Sequence, residues 1–216
     1  MTPVRVTAKL SGALLKPRNS IMLDALLMHR VATVEGRPPL DWQDVRMPEP
    51  EIPIARSACG RLFLASEALY AVECHEKGWQ NRRFPMGQAQ AMSSPKLKSI
   101  LVGGGLSKSW RTPREAIHVE RDEVLWFALG DRARVEGLLL TVSHLGQRRA
   151  VGLGRVLSWT VEDVEPWEGF PVLLDGRPLR PLPFDWPGLG EFRVDYRVLA
   201  PPYWERHRER ECAVPG

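Results

Sequence analysis

Val4, Val6, Ala8 and Leu10 alternate with Arg5, Thr7 and Lys9, the two-residue period of a strand with one face buried. Ser11-Gly12 and a turn-rich stretch over 16–20 follow. Ile21, Leu23, Leu26, Leu27 and Val31 then recur at helical spacing, which predicts a helix over 21–32 capped by Asn19 or Ser20. Residues 36–53 are proline-bearing and acidic, the composition of an irregular excursion. Short extended segments are expected at 52–56 and 61–65, joined through Ser57-Ala58-Cys59-Gly60, with a third near 68–74. Residues 117–129 read as one long strand, with Trp126 in the core. Asp131 then caps an amphipathic helix over 132–145 that turns Val135, Leu138, Leu139, Val142 and Leu145 inward. A strand over 156–161, with Trp159 also in the core, completes the pattern. Segments 170–174 and 192–199, with an Asp175-Gly176 turn, form an appended hairpin or arm. The charged stretch 205–216 is expected to fray.

Strand, helix, strand pair, strand, helix, loop, strand is the order of an α+β, ferredoxin-like (RRM-like) βαββαβ fold, carrying here a long insertion and a C-terminal β extension. Two units are expected: a domain over 1–165 that includes an insertion at 77–114, and a β arm with charged tail over 166–216. At 216 residues, 44% hydrophobic and 26% charged, the chain has enough apolar residues for a real core. No unbroken apolar span of membrane length and no signal-peptide start is visible, so no membrane partner is expected and a reducing cytoplasm fits. Cys59, Cys74 and Cys212 form no CxxC pair, and neither a disulfide framework nor a metal site is indicated.

The net charge of +4 is unevenly spread. Between residues 77 and 114 there is no Asp or Glu, while Lys77, Arg82, Arg83, Lys96, Lys98, Lys108, Arg111 and Arg114 all fall there. Such separation suits a surface that tracks a polyanion, or a solvated basic loop. The insertion is long for a compact domain, and its Pro85, Pro95 and Gly103-Gly104-Gly105 suggest a loop or a long bent hairpin. Trp79, Phe84 and Trp110 could stack on unpaired bases or pin the loop to the body. After the second helix comes Arg148-Arg149-Ala150-Val151-Gly152-Leu153-Gly154-Arg155. Two glycines without a Cβ let backbone N–H groups approach a phosphate, and the arginines add charge; the same residues also make a tight helix-to-strand turn.

Several blocks carry a family resemblance. Leu23-Asp24-Ala25-Leu26-Leu27, the run from Ile52 through Arg56 and Ser57 to Gly60, Trp126-Phe127-Ala128-Leu129-Gly130-Asp131 and Val151-Gly152-Leu153-Gly154-Arg155 together resemble the CRISPR-associated RAMP superfamily. Within it the chain is most similar to the "Cas five" role of type IV effector complexes, over residues 4–161. The resemblance implies a subunit that holds the 5′ handle of the guide RNA; no Ser/His/Asp set, HExxH motif, Walker loop or metal-binding carboxylate cluster is visible in the sequence, so a non-catalytic role without a cofactor is expected. Its implied partners are the backbone subunit, the large subunit and the target duplex near its flanking motif. The 77–114 insertion has the position and charge of the family's thumb. The RNA contacts expected on this basis are Arg148, Arg149, Gly152, Gly154 and Arg155 in the loop. They also include Arg56 and Ser57, Lys16 and Arg18, and Lys77, Arg82, Arg83, Lys96, Lys98, Lys108, Trp110 and Arg111 in the insertion. For Arg56 and Ser57 a structural role competes with phosphate contact.

Two other readings stay open. Some relatives cleave precursor guide RNA without metal, using a general base, a general acid and a cation. His144, near the glycine loop, is then the residue to test; otherwise it interacts with the end of the second helix. A module that docks its basic thumb on an acidic protein is the third reading.

Overall fold

The structure, a computed structural model, describes residues 1–17, 20–35, 51–58, 60, 62–82, 110–146, 152–201, 203 and 205–216. It is α+β, with antiparallel sheets and few helices among the described residues. β1 (Thr2–Leu10) is the central strand of a three-stranded sheet ordered β5 (Glu123–Gly130), β1, β6 (Val156–Asp163). Val6 faces Trp126 on one side and Val161 on the other. The alternation in the sequence is therefore the burial pattern: Val4, Val6, Ala8, Val124, Trp126 and Ala128 are fully buried. Bridges from Ala65 to Ala128 and from Leu69 to Leu125 extend pairing past β5. α1 (Leu23–Val34) and α2 (Arg132–Leu139) add Leu23, Leu27, Val135 and Leu139 to the same core. Trp126 and Trp159 meet there with centroids 5.8 Å apart, and their indole N–H groups donate to Ile21 O at 3.0 Å and Val142 O at 2.8 Å. No helix among the described residues is long and apolar enough to cross a membrane.

A second sheet is ordered β2 (Leu14–Leu15), β4 (Trp110–Val119), β3 (Val72–Arg82). The strand expected over 117–129 is thus two strands in two sheets. A 3-10 turn at Glu120–Asp122 separates them, with Arg121 and Asp122 at φ 56° and 52°. The Lys9 ammonium donates to the Arg121 carbonyl and holds the turn against β1.

Three further elements differ from their sequence patterns, each because tertiary pairing overrides a local preference. The N-cap of α1 falls on Met22, not Asn19 or Ser20; Met22 is extended and bridged to Glu67, which fixes where the helix starts. Asp131 does cap α2, accepting from Arg134 N at 3.1 Å, but the helix stops at Leu139 rather than 145. Residues 143–145 instead pair with the glycine loop and the start of β6, through Leu145 N to Gly154 O at 2.7 Å and Val156 N to Ser143 O at 2.9 Å. Leu145 is still fully buried, so its apolar spacing is met by a returning extended segment. The tail expected to fray is β10 (Arg210–Val214), paired with β9 (Arg193–Arg197), with Cys212 and Ala213 fully buried.

β7 (Leu173–Leu174) and β8 (Arg177–Pro178) form a small hairpin, and Val172, Leu173 and Leu182 join Leu62 in a second apolar cluster. This C-terminal region is fastened to the main core by Arg180, which is fully buried. Its Nη1 donates to Phe63 O at 2.6 Å and Ala65 O at 3.0 Å and lies 3.4 Å from Asp24 Oδ2. Its Nη2 donates to Leu199 O at 2.9 Å and to the Tyr203 oxygen at 2.8 Å. Tyr203 in turn donates to Asp24 Oδ2 at 2.7 Å. Burial pushes the Tyr203 hydroxyl well above its ordinary range, so it stays neutral between the two charges.

Asp24→Asn strands the buried guanidinium without its counter-ion and should cost about 3–5 kcal/mol in urea unfolding. Tyr203→Phe, which removes one neutral partner, should cost less, about 1–3 kcal/mol. The reverse order would refute the charge pair as the anchor. Glu67 offers a pH test: burial raises its carboxyl, against the opposing pull of Ser20, Arg180 and Arg197. With the folded pKa above the unfolded one, its contribution is fully present below the unfolded pKa and is lost as pH rises through the folded value. Glu67→Gln should therefore raise the melting temperature at pH 7 relative to wild type, with the gain vanishing towards pH 4.

Candidate nucleic-acid interface

The glycine loop reaches its place through backbone bonds on two sides. Gly154 N donates to Ala13 O at 2.9 Å, Ser11 N donates to Arg155 O at 2.8 Å, and Arg155 bridges His144. The two glycines do different work. Gly154 is buried at φ 67°, and a Cβ there would sit 2.1 Å from Leu145 O, so no other residue fits. Gly152, at φ 81°, is exposed with open space around its Cβ position. The tight-turn role thus belongs to Gly154, and the face open to a ligand lies at Gly152 and Arg155, whose side chain is exposed.

From this loop a short path leads to the basic insertion. Ala13 passes into β2, where Leu14 and Leu15 pair with Ile117 and Ala116 of β4. Lys16 N donates to Glu115 O at 2.9 Å, and Lys77 of β3 stands across from Glu115. β3 and β4 pair from Val72↔Val119 out to Arg82↔Trp110, so the insertion begins as a long hairpin, with Arg82, Trp110 and Arg111 at the far end of the described strands. Trp79 is 60% exposed on β3.

Charge at the foot of the hairpin is paired. Glu115 accepts from Lys16 at 3.1 Å and contacts His75 Nδ1 at 2.7 Å; those two partners hold its carboxyl below the usual range. Glu76 lies 3.6 Å from Arg114 and 3.7 Å from His118. The two acids that border the acid-free stretch are therefore neutralised by neighbours, and the hairpin beyond them keeps its positive charge. Lys77 is exposed, while Lys16 is committed to Glu115.

Arg56 and Ser57 lie elsewhere. They follow Ile54, which bridges Gly130 at the end of β5 that faces Thr2, whereas the glycine loop sits at the Leu10 end of β1. The nine residues of β1 separate the two ends by roughly 25–30 Å. Ser57 is buried and its hydroxyl accepts from Leu62 N at 3.3 Å, while the Arg56 guanidinium lies 4.2 Å over the Phe63 ring. Arg18, Arg83, Lys96, Lys98, Lys108, Arg148 and Arg149 lie outside the described residues.

His144 is on the returning extended segment rather than at a helix end, with Nδ1 3.0 Å from Ser143 Oγ. It lines a cleft of about 130 Å³ with His29, Arg30 and Ser143, and Arg30 Nε donates to Thr141 Oγ1 at 2.8 Å. Sequence spacing does not single out His29, because it joins His144 only once 141–146 folds back against α1.

No curated protein matches the chain. A family model, CRISPR type IV associated protein Csf3, matches residues 85–215, which among the described residues takes in β4–β6, α2 and the C-terminal region. That match covers more than half of the sequence, and the chain belongs to the CRISPR type IV associated protein Csf3 family, whose members are subunits of type IV CRISPR complexes.

Proposed function

We propose that the chain is the non-catalytic, guide-holding subunit of its complex, gripping the 5′ handle of the RNA between the glycine loop and the β3–β4 hairpin. One observation carries the reading. The long hairpin, without an acid from 77 to 114, is joined at its foot to the Gly152–Arg155 loop by the short stretch from Ala13 to Lys16. A flexible, negatively charged strand could lie along both, close to cations, with the Glu76 and Glu115 carboxylates at the foot already paired. Arg155, Lys77 and the backbone at Gly152 are the contacts within the described residues; Arg148, Arg149 and the outer lysines and arginines join them by sequence. The ferredoxin-like reading of the domain belongs here too. It is supported by the order β5, β1, β6, the bridged segment beyond β5, and helices following the first strand pair and β5. Contacts with the backbone and large subunits and with the target duplex belong to the same reading.

A second reading has one observation in its favour. Two imidazoles and a guanidinium share the His29–Arg30–His144 cleft, a set that could move a proton from a ribose 2′-hydroxyl and give one to the leaving 5′-oxygen. Incubation with labelled repeat RNA in EDTA decides between them. Intact RNA is expected; discrete cleavage lost in both His29→Ala and His144→Ala would replace the binding role with a processing one.

Guide-RNA binding by the purified chain should fall steeply with salt. Lys77→Ala with Arg155→Ala should flatten the slope of log K against log salt by about 1.4, at about 0.7 for each phosphate no longer neutralised. The melting temperature should not change, since both side chains are exposed. Gly154→Ala should lower binding and thermal stability together, because its Cβ collides with Leu145 O. An unchanged salt slope in the double variant would remove the loop-and-hairpin assignment.

A further inference from the structure

The β9–β10 hairpin has its polar face turned in and its apolar face turned out. Arg193, Asp195 and Arg197 alternate along β9 toward the body, where with Ser20 and Glu67 they line a polar cleft of about 120 Å³. Phe192, Val194 and Tyr196 occupy the alternate positions and are 38%, 56% and 59% exposed. Phe184, 45% exposed, stacks on Phe192 with centroids 5.7 Å apart. A half-buried hairpin ordinarily places these residue types the other way round, since a one-residue shift in register would bury the apolar set. Here the register is pinned by β10, whose Cys212 and Ala213 are buried and whose Ala213 exchanges two hydrogen bonds of 2.9 Å with Leu182. The apolar face is therefore a fixed feature of the fold, and a contiguous exposed patch of this kind marks a contact surface.

The charges around it indicate the occupant. Glu211 stands across from Tyr196 on the same face, and Glu191 is next in sequence to Phe192 and 86% exposed, with Arg177 3.6 Å away as its partner. Glu191 is offset by Arg177, so the carboxylate at this border without an ion pair among the described residues is Glu211, which repels a phosphate backbone and attracts Lys or Arg. Backbone groups of β9 are also partly satisfied from within: Tyr196 N donates to Asp195 Oδ1 at 2.8 Å, and Arg197 Nη1 donates to Tyr196 O at 3.4 Å. Recognition would then run through the side-chain face rather than by addition of a strand. We propose that Phe184, Phe192, Val194 and Tyr196 form the docking surface for a neighbouring protein subunit of the type IV complex, one that offers an apolar surface bordered by basic residues. The proposal rests on membership in the complex and is independent of where the guide RNA lies.

The test uses the complex assembled from its protein subunits and guide RNA, with the tag on a subunit other than this chain. After exhaustive RNase digestion, the wild-type chain should stay with the tagged protein, and Val194→Asp with Tyr196→Glu should reduce its retention at least tenfold. The isolated double variant should melt as wild type does and keep its RNA affinity and its salt slope. Four results would overturn the proposal: equal retention of the variant, release of the wild-type chain by RNase, loss of RNA affinity in the isolated variant (which would make the face a base-stacking platform), or a wild-type dimer that the variant converts to monomer. Should the acidic variant fold poorly, hydroxyl-radical footprinting of the wild-type complex gives the same decision. Phe184, Phe192 and Tyr196 should be protected at least threefold relative to the free chain, before and after RNase. Unchanged labelling would refute the surface.

Discussion

The buried charge pair between Arg180 and Asp24 is the constraint on which the arrangement of the chain depends. A guanidinium with no exposure must find its partners inside the protein or be too costly to bury. Arg180 finds them on α1, on the segment at 63–65, on Leu199 and on Tyr203. These contacts tie the C-terminal region to the first helix and to the extended segment beyond β5. The small Leu62, Val172, Leu173 and Leu182 cluster would be a weak core by itself; the ion pair fixes where it sits.

Much of the main sheet was legible in the sequence because its period is simple. Val4, Val6, Ala8 and Leu10 on β1 and Val124, Trp126 and Ala128 on β5 are buried as their alternation requires. What local pattern could not show was where tertiary bonds cut across it. Val142 and Leu145 fit a helical stripe, yet Val142 lies in the turn after α2, with its N–H on Leu139 O, and Leu145 belongs to an extended return that pairs with the glycine loop. Residues 117–129 fit one strand, yet the turn at Arg121 and Asp122 divides them. Asp24 lies in an apolar helix, and nothing near it in sequence points to a partner 156 residues away.

The candidate site divides in the same manner. The charge of the insertion and the paired glycines could be read directly, since both are local facts of composition. Their adjacency could not, because it runs through Ala13, the two-residue strand β2 and the Glu115 ion pairs. Conversely, Arg56 and Ser57 lie in a block that resembles the family, yet the length of β1 keeps them from the glycine loop. Resemblance of a segment does not fix the surface on which its side chains act. The second imidazole of the His144 cleft was hidden for a related reason, as His29 is on a different element.

The turn at Glu120–Asp122 has a mechanical meaning. Three residues are all that separate the hairpin strand β4 from the core strand β5, and the Lys9 ammonium on β1 holds the Arg121 carbonyl between them. Glu120 N also donates to Ala71 O at 2.9 Å, just before β3, so both strands of the hairpin are clamped at their root. A long hairpin rooted in this way behaves as a lever with its fulcrum at the turn rather than as a tether. A load applied near Trp110 is delivered through the turn to β5, which pairs with β1 on one side and is bridged at Ala65 and Leu69 on the other, and its leverage is set by the length of the paired strands.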